Sequence, residues 1–122
     1  MRKICRKKGE DSLSDDIIYV DSYDFDSRIE HGFNVVFFYS QWCSQSRSMM
    51  PIMEEIADEY YDVLRVLAVD VEQSADVANV FAVDTTPTVI CFKNGYLLER
   101  ITEANPKSVY TDLLDTLLYP EE

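Results

Sequence analysis

The sequence QWCSQSR, residues 41–47, lies between a continuous apolar stretch and an amphipathic one, and the fold is predicted outward from this junction. It holds Cys43 and, after two spacers, Ser46. Two cysteines at this spacing are typical of a redox motif that closes a disulfide. A cysteine followed by a serine keeps the attacking sulfur and lacks its partner, so the stretch leaves open whether the protein is a catalyst or a binding protein.

The segments on either side of this stretch predict a buried strand followed by a helix. Residues 34–40, NVVFFYS, are almost continuously apolar, which is typical of a central strand buried on both faces. From Ser44 to Tyr61, apolar residues recur at steps of three and four, as along one face of an amphipathic helix. Pro51 falls inside this helix, where we expect it to produce a kink.

The rest of the chain alternates between strand and helix patterns. The other predicted strands are residues 17–20, 64–71, 88–92 and 96–101, with a Lys93-Asn94-Gly95 turn between the last two. Helices are predicted for residues 22–31, for residues 74–81 with Ser74 as N-cap, and after Asn105 with Pro106 at position N1. The inner face of the last helix is expected to carry Val109, Tyr110, Leu113, Leu114, Leu117 and Leu118. This order predicts an α/β protein with a central mixed β-sheet flanked by helices.

Length and composition predict one compact domain over residues 17–122. The chain has 122 residues and is 47% hydrophobic, which suits a single core near the commonest domain size. No apolar run approaches a membrane span, and the charged start has no apolar region behind it, so neither secretion nor membrane insertion is expected. Three widely spaced cysteines fit neither a disulfide framework nor a zinc site, which favours the reducing cytoplasm or nucleus. No metal or other cofactor is predicted.

Residues 1–16 are predicted to form a basic and polar N-terminal tail. Residues 1–8, MRKICRKK, hold five of the 11 Lys and Arg residues, so six remain against 23 acidic residues, a net charge of −17 for residues 9–122. A body with this charge is expected to repel nucleic acid. The basic octamer, which contains Cys5, is interpreted as a solubilising tail, with a nuclear address as the alternative.

Four landmarks, in the same order along the chain, resemble the thioredoxin family. They are Trp42-Cys43-x-x, Pro51 eight residues after Cys43, Thr86-Pro87-Thr88, and Phe92-Lys93-Asn94-Gly95. The resemblance runs from Val35 to the last helix and implies the thioredoxin fold in a single domain. It also implies that Pro87 is a cis-proline facing the active site. Trp42, Thr86 and Pro87 are then expected to bind an extended peptide segment of a partner protein.

The predicted junction of strand and helix surrounds Cys43 with groups that favour a reactive thiol. Its sulfur is expected beside unpaired backbone N–H groups and the positive end of the helix dipole, both of which favour the thiolate. Arg47 is expected to add positive charge one turn later, and the Ser46 hydroxyl to donate a hydrogen bond to the thiolate. Cys43 and Ser46 are therefore the predicted catalytic residues.

Four positions depart from the thioredoxin pattern. Typical thioredoxins have a second cysteine where Ser46 stands, a buried aspartate where Phe37 stands and a lysine where Ala68 stands. Glu103 occupies the place of a glycine on the surface that faces the substrate. Without a second thiol and a buried base, Cys43 is not expected to complete dithiol turnover. An engineered serine that traps mixed disulfides would need only one change, so the further changes favour natural divergence.

Other side chains with chemical potential are interpreted as structural. Cys91 is expected to be a buried hydrophobe, and the methionines Met49, Met50 and Met53 are expected to fill the core. His31, the single histidine, is expected at the surface and away from Cys43. The following carboxylates are interpreted as solvated side chains, not as acid-base pairs or a cation site: Glu54, Glu55, Asp58, Glu59, Asp70 and Glu72.

Three functions remain open at this point. In the first, Cys43 forms mixed disulfides with protein disulfides or glutathione, and an external thiol resolves them in slow monothiol reductase or isomerase chemistry of redox homeostasis. In the second, the domain is a redox-inactive module that binds a partner protein. The third function is that of a chaperone-like holdase or an assembly subunit. Cys43 is inert in the last two.

Overall fold

Strands and helices alternate along residues 17–120, the part of the chain that the computed structural model describes. The strands are β1 (Ile17–Tyr19), β2 (Phe33–Tyr39), β3 (Arg65–Asp70), β4 (Thr88–Lys93) and β5 (Tyr96–Thr102). The helices are α1 (Phe25–Ile29), α2 (Ser44–Glu59), α3 (Ala75–Val80) and α4 (Lys107–Leu118). The predicted tail, residues 1–16 with Cys5, lies outside the described residues.

The strands form one mixed sheet in the order β1-β3-β2-β4-β5. β1, β3 and β2 are parallel, whereas β4 is antiparallel to β2 and β5 is antiparallel to β4. At the turn between β4 and β5, Asn94 and Gly95 both have positive φ, which Asn and Gly adopt more readily than other residues. The prediction of an α/β fold around a mixed sheet is confirmed.

The strand β2 divides the core into two layers because its successive side chains point to opposite faces of the sheet. Val35 and Phe37 pack with residues of α2 and α4, and Val36 and Phe38 pack on the face that holds α1 and α3. The first layer includes Met49, Met53, Ile56, Tyr110 and Leu114. The second includes Phe25, Ile29, Val77, Ile90 and Phe92. The predictions that β2 is buried on both faces and that Met49 and Met53 fill the core are confirmed.

The first helix is shorter than predicted. It begins at Phe25 and ends at Ile29. Its late start follows from the Asp21 carboxylate, which accepts backbone N–H bonds from Tyr23 at 3.0 Å and Asp24 at 3.3 Å. These two bonds turn the chain before the helix begins. Tyr23 is consequently an exposed turn residue, not a member of an apolar helix face.

Helix ends also differ in detail from the predictions. Pro106 lies at the N-cap of α4 with an extended backbone, one position before the predicted N1. Ser74 is the N-cap of α3 by position, but its side chain makes no capping hydrogen bond. Val109 is exposed, since α4 turns mainly Tyr110 and Leu114 into the core. Within residues 17–120, no helix has both the length and the apolar character needed to cross a membrane.

Candidate active site

Cys43 lies at the junction between the central strand and the longest helix. After β2 ends at Tyr39, a short loop leads to Cys43, which is the N-cap of α2 with an extended backbone. The Cys43 N–H donates to the Ser40 carbonyl at 3.1 Å, and the Cys43 carbonyl accepts from the Arg47 N–H at 3.1 Å. These bonds fix the backbone at the start of the helix and leave the Cys43 side chain partly exposed.

Hydrogen bonds lower the pKa of Cys43 to about 7, below the ordinary range of a thiol. The largest cause is the side-chain hydrogen bond of Ser46, followed by that of Thr86 and by the Ser46 backbone N–H; desolvation opposes them. The thiol itself donates to the Thr86 carbonyl oxygen at 3.4 Å, a contact that favours the protonated form. The net effect favours the thiolate, because the groups that donate to sulfur outweigh this contact.

The Ser46 side chain is buried between the sulfur and the loop that precedes it. Its residue has no exposed surface, and its hydroxyl oxygen accepts the Ser40 N–H at 3.4 Å. A buried hydroxyl that accepts one bond retains its own proton for a second bond. Ser46 therefore supplies a fixed donor to the Cys43 thiolate, and an oxygen stands where a dithiol motif would have sulfur.

Arg47 does not act on the thiol as expected. Its Nη1 donates to the Gln41 carbonyl oxygen at 2.8 Å, and its charge is not among the causes that lower the pKa of Cys43. The expectation that Arg47 favours the thiolate is therefore wrong. The guanidinium is bound to the loop between β2 and α2.

The loop before β4 borders Cys43 on its other side. The Thr86-Pro87 peptide bond is cis, and Pro87 is buried while Thr86 is partly exposed. The Thr88 hydroxyl donates to the Thr85 carbonyl at 2.9 Å, and the Glu103 N–H donates to the Pro87 carbonyl at 2.9 Å. The structure thus brings Cys43, Ser46, Thr86 and Pro87 together.

Trp42 presents most of its side chain to solvent next to Cys43. The residue is 81% exposed, and its backbone N–H donates to the Ser40 hydroxyl at 3.1 Å. Contact between the apolar surface of an exposed indole and water is unfavourable, and a bound partner that covers the indole removes this contact. The position of Trp42 suits contact with a bound molecule, which is the role predicted for it.

Phe37 and Ala68 make the core below the site apolar. They are direct neighbours in the β2–β3 ladder, and neither has more than 1% of its surface exposed. The Phe37 ring stacks on Tyr39 with centroids 5.8 Å apart. Neither side chain accepts or donates a proton, so these two positions supply no buried acid or base.

Cys91 and His31 lie away from the site. Cys91 is buried in β4, and desolvation raises its pKa to about 12, so it is held as a thiol. This confirms the prediction that it is a buried hydrophobe. His31 is exposed and precedes β2, whereas Cys43 follows the other end of that strand. The prediction of a surface histidine away from Cys43 is confirmed.

A polar network at the ends of β2 and β3 was not predicted. Asp70 is buried and accepts bonds from Gln41 Nε2 at 3.2 Å and from the Glu72 N–H at 2.9 Å, so its interpretation as a solvated carboxylate is wrong. The Ser40 hydroxyl donates to Glu72 at 3.0 Å. The sequence signal was an aspartate at a strand end, where side chains often bond to backbone N–H groups two residues on. Among the described residues, no group of His, Cys, Asp and Glu is arranged to hold a metal ion.

Comparisons with known proteins agree with this architecture. A family model described as Thioredoxin matches residues 16–116. Similar curated proteins, each named Thioredoxin, come from Staphylococcus aureus strains Mu50, MW2 and N315. Each is 32% identical over 99 residues, which cover 81% of this chain and 95% of the relative. On its fold, its site and these matches, the chain belongs to the thioredoxin family.

Proposed function

We propose that this thioredoxin-family protein acts on disulfides through the single thiol of Cys43. The observation that carries the proposal is the partly exposed sulfur at the N-terminus of α2, whose pKa hydrogen bonds lower to about 7. At neutral pH about half of such a thiol is ionised, and the thiolate is the nucleophile in disulfide exchange.

The first step is attack by the Cys43 thiolate on one sulfur of a substrate disulfide. A bond forms between Cys43 and that sulfur, the substrate S–S bond breaks, and the second substrate sulfur leaves as a thiolate that takes a proton from water. Ser46 donates to the Cys43 sulfur before attack and releases it as the negative charge moves to the leaving group. The product is a mixed disulfide between Cys43 and the substrate.

An external thiol carries out the second step. A thiolate such as that of glutathione attacks the substrate sulfur of the mixed disulfide, forms a new disulfide with it and releases the Cys43 thiolate. Within residues 17–120 the only other free thiol is Cys91, which is buried and has its pKa raised to about 12. It is therefore no resolving group. Glutathione is abundant in reducing compartments such as the cytoplasm, which we propose as the location.

The groups around Cys43 suit a substrate with an extended backbone. Thr86 and Pro87 border the sulfur, and the exposed Trp42 adds an apolar surface on the adjacent residue. We assign these three residues to substrate binding, with protein disulfides and glutathione as the substrates. An extended segment can bind to the loop before β4 by main-chain hydrogen bonds, which tolerate many sequences.

The proposal is tested by incubation of the reduced protein with oxidised glutathione at pH 7, followed by mass spectrometry of the intact chain. A Cys5→Ser background removes the other candidate thiol outside the core. We expect one glutathione per chain, stable until dithiothreitol is added, because no described thiol resolves the mixed disulfide. Cys43→Ser is expected to remain unmodified.

Two outcomes would contradict the proposal. One is a Cys43 that stays unmodified in the folded protein while a free cysteine peptide is glutathionylated under the same conditions. The other is equal modification of the Cys43→Ser variant, which would place the reaction elsewhere. The first result would leave a redox-inactive binding module. The observation that favours such a module is the apolar pair Phe37 and Ala68, because it lacks the buried base of dithiol turnover.

A further inference from the structure

Glu103 has a backbone conformation that its residue type rarely adopts. Its φ is +71°, in the left-handed region that favours glycine, and its side chain is exposed. Among the described residues, Ala82 and Asn94 also have positive φ, but each has an ordinary structural reason. Ala82 follows the end of α3, where left-handed residues are common, and Asn94 forms the hairpin turn. Glu103 has neither reason.

Three hydrogen bonds hold Glu103 in this conformation. Its N–H donates to the Pro87 carbonyl at 2.9 Å, and its carbonyl accepts from Asn105 Nδ2 at 3.0 Å and from the Tyr110 hydroxyl at 3.3 Å. Both backbone polar groups are thus directed to the protein. The carboxylate is left on the exposed side, and no ion pair is seen for it among the described residues.

One of these bonds, the one to Pro87, places Glu103 near the Cys43 sulfur. The register of β4 and β5 pairs Thr88 with Thr102, so Pro87 and Glu103 are the next residues beyond this pair, and the N–H bond joins them. The Cys43 sulfur contacts the carbonyl of Thr86, the residue before Pro87. A peptide that lies along Thr86 and Pro87 therefore passes the backbone of Glu103.

The Arg47 guanidinium is bound to a different segment of the chain from Glu103. Arg47 donates to the Gln41 carbonyl in the loop between β2 and α2, whereas Glu103 is bonded to the segment before β4. The two side chains thus belong to different borders of Cys43. The backbone of Glu103 lies next to the Thr86-Pro87 border and its side chain is exposed, so its carboxylate is available to attract positive and repel negative side chains of a segment bound there.

We infer that Glu103 is a specificity-determining residue that selects disulfides whose reactive cysteine is flanked by lysine or arginine. The inference rests on the proposed function, because it names the substrate class of the Cys43 thiol. The selected partners are basic cysteine-containing segments of proteins. Glutathione, which is anionic, is a poorer substrate for the first step than a basic peptide of similar size.

The test compares two cysteine peptides of equal length, one with lysines and the other with glutamates on both sides of the cysteine. Each peptide carries thionitrobenzoate in a mixed disulfide. The Cys43 thiolate attacks the peptide sulfur, a Cys43–peptide disulfide forms, and the coloured thionitrobenzoate thiolate leaves, since it is the better leaving group. The rate of colour release is divided by the rate with 2-mercaptoethanol, an uncharged thiol, to remove the intrinsic reactivity of each peptide.

We expect the wild-type protein to prefer the lysine peptide by roughly fivefold at low salt, as for a pair of charges near a protein surface. The preference should decrease as the ionic strength rises. The part of the preference that comes from the net charge of −17 over residues 9–122 should persist in every variant, whereas Glu103→Gln is expected to remove the part that comes from its own carboxylate. The matched control, Glu30→Gln, removes the same charge before β2, at the other end of the sheet, and should retain the preference.

Failure of this inference is distinguishable from failure of the proposed function. If Cys43 reacts with both peptides and Glu103→Gln leaves their ratio unchanged, or Glu30→Gln lowers it equally, then Glu103 does not select the substrate. If Cys43 reacts with neither peptide, the proposed function fails.

Glu103 is then tested without chemistry, by NMR titration of Cys43→Ser with peptides in which serine replaces cysteine. Shifts of the Glu103 and Thr86 amides with the lysine peptide, weakened by Glu103→Gln, would support the selection of basic segments, and their absence would overturn it.

Discussion

Phe37 lies directly opposite Ala68 in the β2–β3 ladder, and together they fill the core layer below Cys43 with hydrocarbon. A proton acceptor at either position would have to be buried, at a cost that only a charged or hydrogen-bonding neighbour offsets. A large aromatic residue beside a small alanine instead fills the space at ordinary packing density. Positions 37 and 68 therefore supply no buried base that could activate a second thiol.

The first prediction concerns turnover. The protein should not reduce insulin disulfides with a thioredoxin reductase system, because that cycle requires a disulfide between two active-site cysteines and Ser46 cannot provide one. Ser46→Cys should restore only part of the activity, since Phe37 still supplies no base. Insulin precipitation followed by turbidity measures both. Turnover of the unchanged protein at the rate of an ordinary thioredoxin would contradict this account of Ser46.

The second prediction concerns the stability of the same layer. Phe37→Ala should lower the free energy of unfolding by about 3–5 kcal/mol, because it leaves a cavity in a fully buried cluster. Trp42→Ala, at an exposed aromatic, should change it by less than about 0.5 kcal/mol. Urea denaturation followed by circular dichroism gives both values. Similar losses for the two variants would show that Phe37 is not a core residue.

The sequence was most informative where burial is continuous. The apolar run of β2 and the periodic pattern of α2 each contain their own signal, and together they predicted the position of Cys43 at a strand-to-helix junction. The length of α1 was not predicted, because side-chain bonds of Asp21 compete with the helix.

Contacts that depend on the folded structure explain the remaining errors. Arg47 was expected to act on Cys43 from its position one turn later, but its long side chain bonds to the Gln41 carbonyl. The burial of Asp70 depends on Gln41, which is 29 residues away in the sequence. The bond between Glu103 and Pro87 depends on the pairing of β4 with β5. No local pattern encodes which partners such side chains and loops meet in the fold.

The third prediction concerns the backbone of Glu103. Glu103→Gly should raise the free energy of unfolding by about 0.5–1 kcal/mol, because glycine adopts the observed positive φ without steric cost. Glu103→Gln keeps the side chain and should give no such gain. Denaturation of the two variants in parallel separates the effect of conformation from that of charge. Equal stabilisation by both would indicate that charge, and not φ, limits stability here.

The fourth prediction concerns residues 1–16, which we propose to be a tail outside the folded domain. Their deletion should leave the melting temperature within experimental scatter, since their sequence is mostly charged and polar and offers few apolar side chains to bury. Deletion of residues 1–20 serves as the contrast, because it removes β1 with the buried Ile17 and Val20. That larger deletion should lower the melting temperature clearly. A comparable loss in the shorter deletion would show that the tail packs on the domain.

The last prediction concerns the pH dependence of Cys43. In a Cys5→Ser background, the rate of alkylation by iodoacetamide should rise with pH, reach half of its maximum near pH 7 and level off above about pH 8. A lowered pKa means that the thiolate is present above this midpoint and is lost as the pH falls through it. Cys91 should not react in the folded protein, because burial raises its pKa to about 12.

Substitution of two serines in α2 tests the cause of the Cys43 midpoint near pH 7. Ser46→Ala removes the largest contribution to the lowered pKa, so its midpoint should move to higher pH, toward that of an ordinary thiol. Ser48→Ala is the matched control, because Ser48 is exposed and its hydroxyl donates to the Gln45 carbonyl instead of the sulfur. Its midpoint should stay near pH 7. Circular dichroism must show that both variants are folded, since Ser46 also accepts the Ser40 N–H. An unchanged midpoint in folded Ser46→Ala would mean that the helix N-terminus and Thr86 suffice to lower the pKa, and that the serine has no part in activating the thiol.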